Sequence, residues 1–192
     1  MKTAMMNRDS NGAGETKSDE ANVTQSSNDR NVMQEKMKAA TRPSAAHRAL
    51  DAFVGDWKAE VKSWCEPGGP AQQSKATAKA YWIMDGHFLE EEFRGEMMGR
   101  PFVGQTLMGY DNTKGVYQNV WISDMQTSMV LSEGKGSDNN RLITLEGRTD
   151  CPMSGQQGIP IKLVYRVIDT DRHVLEMFNN GQKSMEITYT RA

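Results

Sequence analysis

From Trp57 onward the chain is written in short runs in which apolar and polar positions alternate wholly or in part, separated by Asp-Gly, Asp-Asn and Gly/Pro signals. A period of two marks a strand with one buried face, and no long helical period competes with it. The pattern predicts ten strands, over about 57–64, 74–84, 88–97, 101–110, 116–123, 128–135, 141–149, 160–168, 173–178 and 184–191. Joining each neighbouring pair as a hairpin gives an up-and-down meander, and closing the meander removes the two edges that would otherwise invite aggregation. The expected fold is therefore all-β, a single closed antiparallel barrel of about ten strands.

Two segments before the barrel read differently. Residues 1–42 are rich in Asn, Ser, Asp, Glu, Lys and Gln and poor in aromatics, which is too little apolar area to offset the entropy of ordering. They are expected to form a disordered polar tail, with at most a turn or two of helix in "NVMQEKMKAA". In "SAAHRALDAFV", residues 44–54, Ser44 is a plausible N-cap, and Leu50, Phe53 and Val54 share one helical face. A short helix is expected to lead into the barrel domain, residues 43–192.

Alternate loops of a meander lie at opposite ends. One end receives "MDGH", "YDNTKG", "GSDNN" and "DTDR", tight polar turns rich in residues that tolerate positive φ or make Asx turns. The other receives "CEPGGPAQQ", "MMGRP", "SDMQT", "CPMSGQQGIP" and "NNGQK", which include the longer loops. Met97, Met98, Met125 and Met153 fall at this second end, where flexible thioethers suit the mouth of an apolar pocket.

Strand phase selects the lumen. In 88–97 the set Leu89, Glu91, Phe93, Gly95, Met97 must face inward, because the opposite phase would bury Glu90, Glu92, Arg94 and Glu96. This puts one carboxylate, Glu91, on the apolar face, where it needs a partner or a proton. Ala76, Ala78, Ala80, Trp82 and Met84 read inward in the second strand. In the fifth, both phases are mixed, and Tyr117, Asn119 and Trp121 are taken as the inward set. Met129 and Leu131 are the expected contribution of the sixth. The ligand-lining candidates are thus Glu91, Phe93, Met97, Trp82, Tyr117, Asn119, Trp121 and Met129.

Composition narrows the chemistry. A net charge of −2 over 192 residues gives no electrostatic reason for a nucleic-acid or anionic-membrane partner. No apolar run is long enough to span a bilayer and the N-terminus lacks the apolar core of a secretory signal, so a cytoplasmic location is the simplest expectation. Cys65 and Cys151 lie in no metal-ligand spacing, no metal or cofactor is expected, and both are expected as thiols. His47, His87 and His173 fall in the leading helix, a tight turn and the start of a strand, where solvated or capping roles are expected. No GxSxG elbow supports a hydrolase triad.

The first strand begins, and the last ends, at the tight-turn end, and the two must pair to close the barrel. Trp57 and Arg191 therefore meet, so that the guanidinium can lie over the indole and seal the base. Gly55-x-Trp57 with a terminal Arg resembles the signature of calycin barrels, the lipocalins and fatty-acid-binding proteins. "FVGDWK", "EEEFRGEMMGRPFVGQTLMGYDNTKGVYQNVWISDMQTSMVLSEG" and "MEITYTR" are similar to the bacterial family designated domain of unknown function fifteen-seventy-nine, over residues 45–191. That resemblance implies a calycin-like barrel and, the family having no established activity, supports no enzyme claim.

The function expected is a carrier or sensor of a small apolar or amphipathic molecule, with homo-oligomerisation left open. Two other classes stand beside it. One is a hydrolase or isomerase using Glu91 as general acid or base; the other, by likeness to nitrobindin-type folds, is a haem protein with His173, Leu175 and Met177 facing inward.

Overall fold

A computed structural model describes residues 16–64, 66, 68–97, 99–151 and 154–192, with side chains from Asn28 onward. The chain divides into two units between Thr41 and Arg42. In the first, Thr16–Thr41 form helix α1, where the amino-acid composition leads one to expect disorder with only a fragment of helix. The local reason is propensity: Ala, Gln, Glu, Lys and Met dominate its last three turns, and Lys38 bonds Glu35 one turn back at 2.6 Å. Its Val32, Met33 and Met37 are exposed.

The second unit begins with helix α2, Ala45–Arg48, which runs on as a 3-10 turn over Ala49–Phe53. Ser44 is the N-cap, as expected, and its N–H donates to His47 Nδ1 at 3.0 Å. Ten strands follow: β1 (Gly55–Ser63), β2 (Gln72–Ile83), β3 (Phe88–Met97), β4 (Arg100–Asp111), β5 (Val116–Ser123), β6 (Val130–Ser137), β7 (Leu142–Thr149), β8 (Ile159–Asp169), β9 (Arg172–Asn179) and β10 (Gln182–Arg191). Each pairs antiparallel with its sequence neighbours, and β1 pairs with β10, so the sheet is a closed up-and-down barrel. Asp85, Asp138, Asn139 and Asn140 adopt positive φ in the tight turns, the conformation those residue types accommodate with least strain.

All ten strands begin and end within two residues of the positions predicted. The sixth is displaced and in the opposite phase: Val130 and Ser132 are buried, whereas Met129 and Leu131 are 67% and 61% exposed. Register gives the reason. Leu131 stands opposite Val120, which stands opposite Leu107, a row on the outer wall, while Ser132 faces Asn119 and Gly147 inside.

The interior holds two apolar clusters. Leu50, Phe53, Ala80, Leu89, Met108, Tyr117, Ile143, Leu145 and Leu163 form one; Trp57, Ala59, Ala78, Phe93, Ile187 and Tyr189 form the other. All of these lie from Leu50 onward. Deleting residues 1–41 is accordingly expected to leave the melting temperature of the barrel unchanged within experimental error; a calorimetric scan of the truncated chain checks this, and a fall of several degrees would overturn it.

Candidate functional site

One end of the barrel is sealed. The α2 segment and the 3-10 turn precede β1, so they lie where that strand begins, and Leu50, fully buried, and Phe53 enter the first cluster from there. Three hydrogen bonds hold this plug: Tyr117 Oη donates to the Ala46 carbonyl (3.0 Å), Trp82 Nε1 to Asp51 Oδ1 (2.7 Å) and Trp57 Nε1 to the Phe53 carbonyl (2.8 Å). Trp57 and Arg191 are ladder partners, and the guanidinium carbon lies 4.3 Å from the indole centroid, as the sequence reading requires. Arg191 also donates to the carbonyls of Val54 (3.2 Å) and Thr170 (2.7 and 3.2 Å).

Gly55 explains the start of the motif. A Cβ there would fall 2.4 Å from Arg191 Nη1, and its φ of +136° is one that other residues rarely adopt. The glycine makes room for the arginine that covers the tryptophan two residues on.

His173 belongs to this seal, and corrects the expectation of a solvated or capping role. It is 2% exposed, stacked on Tyr189 (4.2 Å between centroids) and met edge-on by Trp57 (4.5 Å) and Phe53 (5.0 Å). Burial and the nearby Arg191 charge lower its pKa to about 3, so it stays neutral. Enclosed in this way, the ring is not presented to the lumen as a haem ligand. His47 is a capping residue but also buried, and burial lowers its pKa.

Glu91 lies on β3 between the two clusters, two residues from Leu89 of one and two from Phe93 of the other. Its ladder neighbours are Ala80 on β2 and Thr106 on β4, both buried, so it faces inward as its phase predicts. The side chain is only partly accessible, and burial raises its pKa to about 7. An inward-facing group that keeps some accessible surface lines the interior of the barrel. Among the described residues it has no hydrogen-bond or ion-pair partner. Tyr165 on β8 and Tyr189 on β10 face it across the interior: burial and the Glu91 charge both raise their pKa values.

Aromatic rings cover the wall beside it. Phe93 lies 5.9 Å from Phe102, 6.4 Å from Trp121 and 6.4 Å from Tyr189, centroid to centroid. Trp121 lies flat against β4 because Gly104 has no side chain; a Cβ there would come within 2.0 Å of the indole. Partial exposure on the inward positions of Phe102, Trp121, Tyr165, Leu175, Met177 and Met185 marks the same internal space. Four buried polar atoms, Asn119 Oδ1, Ser132 Oγ, His173 Nδ1 and Asn179 Oδ1, have no hydrogen-bond partner among the described residues.

The sequence-derived candidates therefore divide. Glu91, Phe93, Asn119 and Trp121 share the interior. Trp82 and Tyr117 face inward too, but their polar atoms are taken up by the plug, so they are structural. Met97 ends β3 and is exposed at the rim; Met129 points outside. Of the rim methionines, Met125 is partly buried, while Met98 and Met153 lie outside the described residues, as does Cys65. Tyr165, Tyr189, Thr106 and Phe102 were not singled out, although Ile161, Leu163, Tyr165 and Met185, Ile187, Tyr189 carry the alternation that finds two of them. Among the described residues no three His, Cys, Asp or Glu side chains converge as a metal site, and no helix is long and apolar enough to cross a membrane.

Comparison with solved structures gives the fold. Rv2717c from M. tuberculosis matches with a TM-score of 0.55 and 15% identity, covering 79% of this chain and 99% of its own. A redesigned β-barrel matches with a TM-score of 0.41 and 12% identity, covering 76% of this chain and 96% of its own. No curated protein matches. The model of the family described as protein of unknown function, DUF1579, matches residues 42–191, which is the whole barrel with its plug, and the chain belongs to that family.

Proposed function

We propose that the barrel binds a small amphipathic molecule in its lumen, as a carrier or sensor, with Glu91 as the polar anchor. One observation carries this: an inward carboxyl without a protein partner, set between two apolar clusters and beside a wall of aromatic rings. A pocket that is mostly apolar, with a few placed polar groups, is the usual composition of a small-molecule site. The sealed plug leaves the end with the longer loops as the entrance. Acid–base catalysis by Glu91 draws support from a pKa near neutrality, but among the described residues no second charged group acts on the carboxyl.

Native mass spectrometry of the purified full chain tests the reading. A bound species of low mass that survives desalting is expected; bare protein that also fails to take up any small amphipathic probe would overturn it. Glu91→Gln should keep the fold and weaken a ligand that donates to Glu91 by roughly 1–3 kcal/mol, the value of a charge-assisted bond. Titration calorimetry of both proteins reads this, and equal affinities would remove Glu91 from the site.

A further inference from the structure

We propose that the ligand of this lumen is a small organic cation, an amine or alkylammonium, whose charge rests against Glu91 within the ring of Phe93, Trp121 and Tyr189. The inference rests on the lumen-binding reading above and adds the sign of the ligand's charge.

Charge complementarity is the first argument. Glu91 is the carboxylate of the interior, and no lysine or arginine stands beside it in the ladder: Ala80 and Thr106 flank it, and Leu89 and Phe93 precede and follow it on the same face. The two arginines in inward phase are engaged elsewhere. Arg191 is taken up by Trp57 and three backbone bonds of the seal, and Arg100 is exposed at the rim opposite Met97. An anionic headgroup entering this space would meet a carboxyl and no counter-charge. A cation would supply the partner that Glu91 lacks.

The aromatic wall is the second. Ring faces carry negative quadrupole density and attract an ammonium, most strongly where water is excluded. Phe93 makes tilted or edge contacts with Phe102, Trp121 and Tyr189 at 5.9–6.4 Å, so the rings form a curved wall and not a closed stack. A carboxylate within such a wall is the arrangement that recognises an alkylammonium. The third argument is an unmet acceptor: Asn119 Oδ1, buried and one rung from Thr106, has no donor among the described residues, and Ser132 Oγ across the strand from it is unpartnered as well. An N–H-bearing ligand would satisfy Asn119 Oδ1, which an oxyanion could not.

Proton linkage follows. The titratable groups facing Glu91 are Tyr165 on β8 and Tyr189 on β10, with His173 of β9 stacked behind Tyr189; burial holds both phenols protonated and the imidazole neutral. β2 and β4 place only Ala80 and Thr106 against it. Cation binding at mildly acidic pH must therefore draw its proton release from Glu91.

The test is titration calorimetry of the full chain with hexylammonium, hexanol and hexanoate at pH 8, and with hexylammonium at pH 6 in two buffers of different ionisation enthalpy. The amine is expected to bind at least about tenfold more tightly than the alcohol, hexanoate more weakly than either, and about one proton should be released at pH 6. In Glu91→Gln the amine should lose its advantage over hexanol. Alcohol or carboxylate binding as tightly as the amine would overturn the cation assignment and leave the lumen reading standing. Failure of all three to bind would overturn both. The comparison of the three probes on the unaltered protein decides the matter even where the variant folds poorly.

Discussion

Arg191→Ala is expected to cost about 3–5 kcal/mol of folding stability, although its side chain is at the barrel surface. The guanidinium loses its place over Trp57, worth about 0.5–2 kcal/mol, and the carbonyls of Val54 and Thr170 lose charge-assisted bonds worth about 1.5–3 kcal/mol each before compensation by water. Its ion pair with Asp171 at 3.1 Å is exposed and adds little. Arg191→Lys should recover less than half, since an ammonium cannot cover the ring and reach both carbonyls with one planar fork. Gly55→Ala attacks the same contact from the other side, so its effect and that of Arg191→Ala should fall well short of adding. Urea denaturation of these three variants and of the Gly55→Ala/Arg191→Ala double variant measures this; a loss below about 1 kcal/mol in Arg191→Ala would show that the contact is not part of what holds the base closed.

Glu91→Gln is expected to be more stable than the parent at pH 8, relative to their difference at pH 4.5, by about 3 kcal/mol. The folded-state value of about 7 lies above the ordinary 4.5, so the folded protein holds a proton that the unfolded chain releases. That contribution is complete at low pH and is lost as pH rises towards 7. His173 works in the opposite direction. Its folded value of about 3 lies below 6.5, so the unfolded state takes up the proton first and stability falls as pH drops below 6.5. Between about 4.5 and 6.5 the two slopes cancel in the parent. Removing the carboxyl leaves the histidine slope, about 1.4 kcal/mol per pH unit, so the variant should be markedly more acid-labile than the parent over that interval. Denaturation at four pH values reads both effects, and parallel profiles would show that Glu91 is not buried as described.

Closure, strand order and seal were legible in the sequence because each rests on local signals. Turn chemistry fixed the hairpins, alternation fixed the phase of β3, and parity brought Trp57 to Arg191. The sixth strand was misread because Leu131 and Met129 are apolar but point outward, where Leu131 joins Val120 and Leu107 in a row on the outer wall; alternation alone does not say which of two apolar sets is covered. His173 looked like an exposed strand-end residue. Its burial depends on Phe53, Trp57 and Tyr189 arriving from three other elements, and no spacing within "DRHVLEM" records that. Glu91 was found because one charge among Leu89 and Phe93 breaks the pattern. Tyr165 and Tyr189 break nothing, being aromatic residues on a buried face, and only the closed barrel puts their hydroxyls opposite a carboxyl.

The pairing of β1 with β10 has a consequence for how the chain reaches this state. All the other pairings join strands that adjoin in sequence, so nine hairpins can form as soon as each turn is made. The seam between Gly55–Ser63 and Gln182–Arg191 is different: it must wait for the last strand, and until then the sheet has two open edges at its extremities. Arg191, which ends β10, therefore acts as a latch on a finished cylinder. A chain that lacked it would carry nearly the same wall but linger with edges free to pair with other copies, so the fate of such a chain is set by association during folding as much as by the energy of the seal.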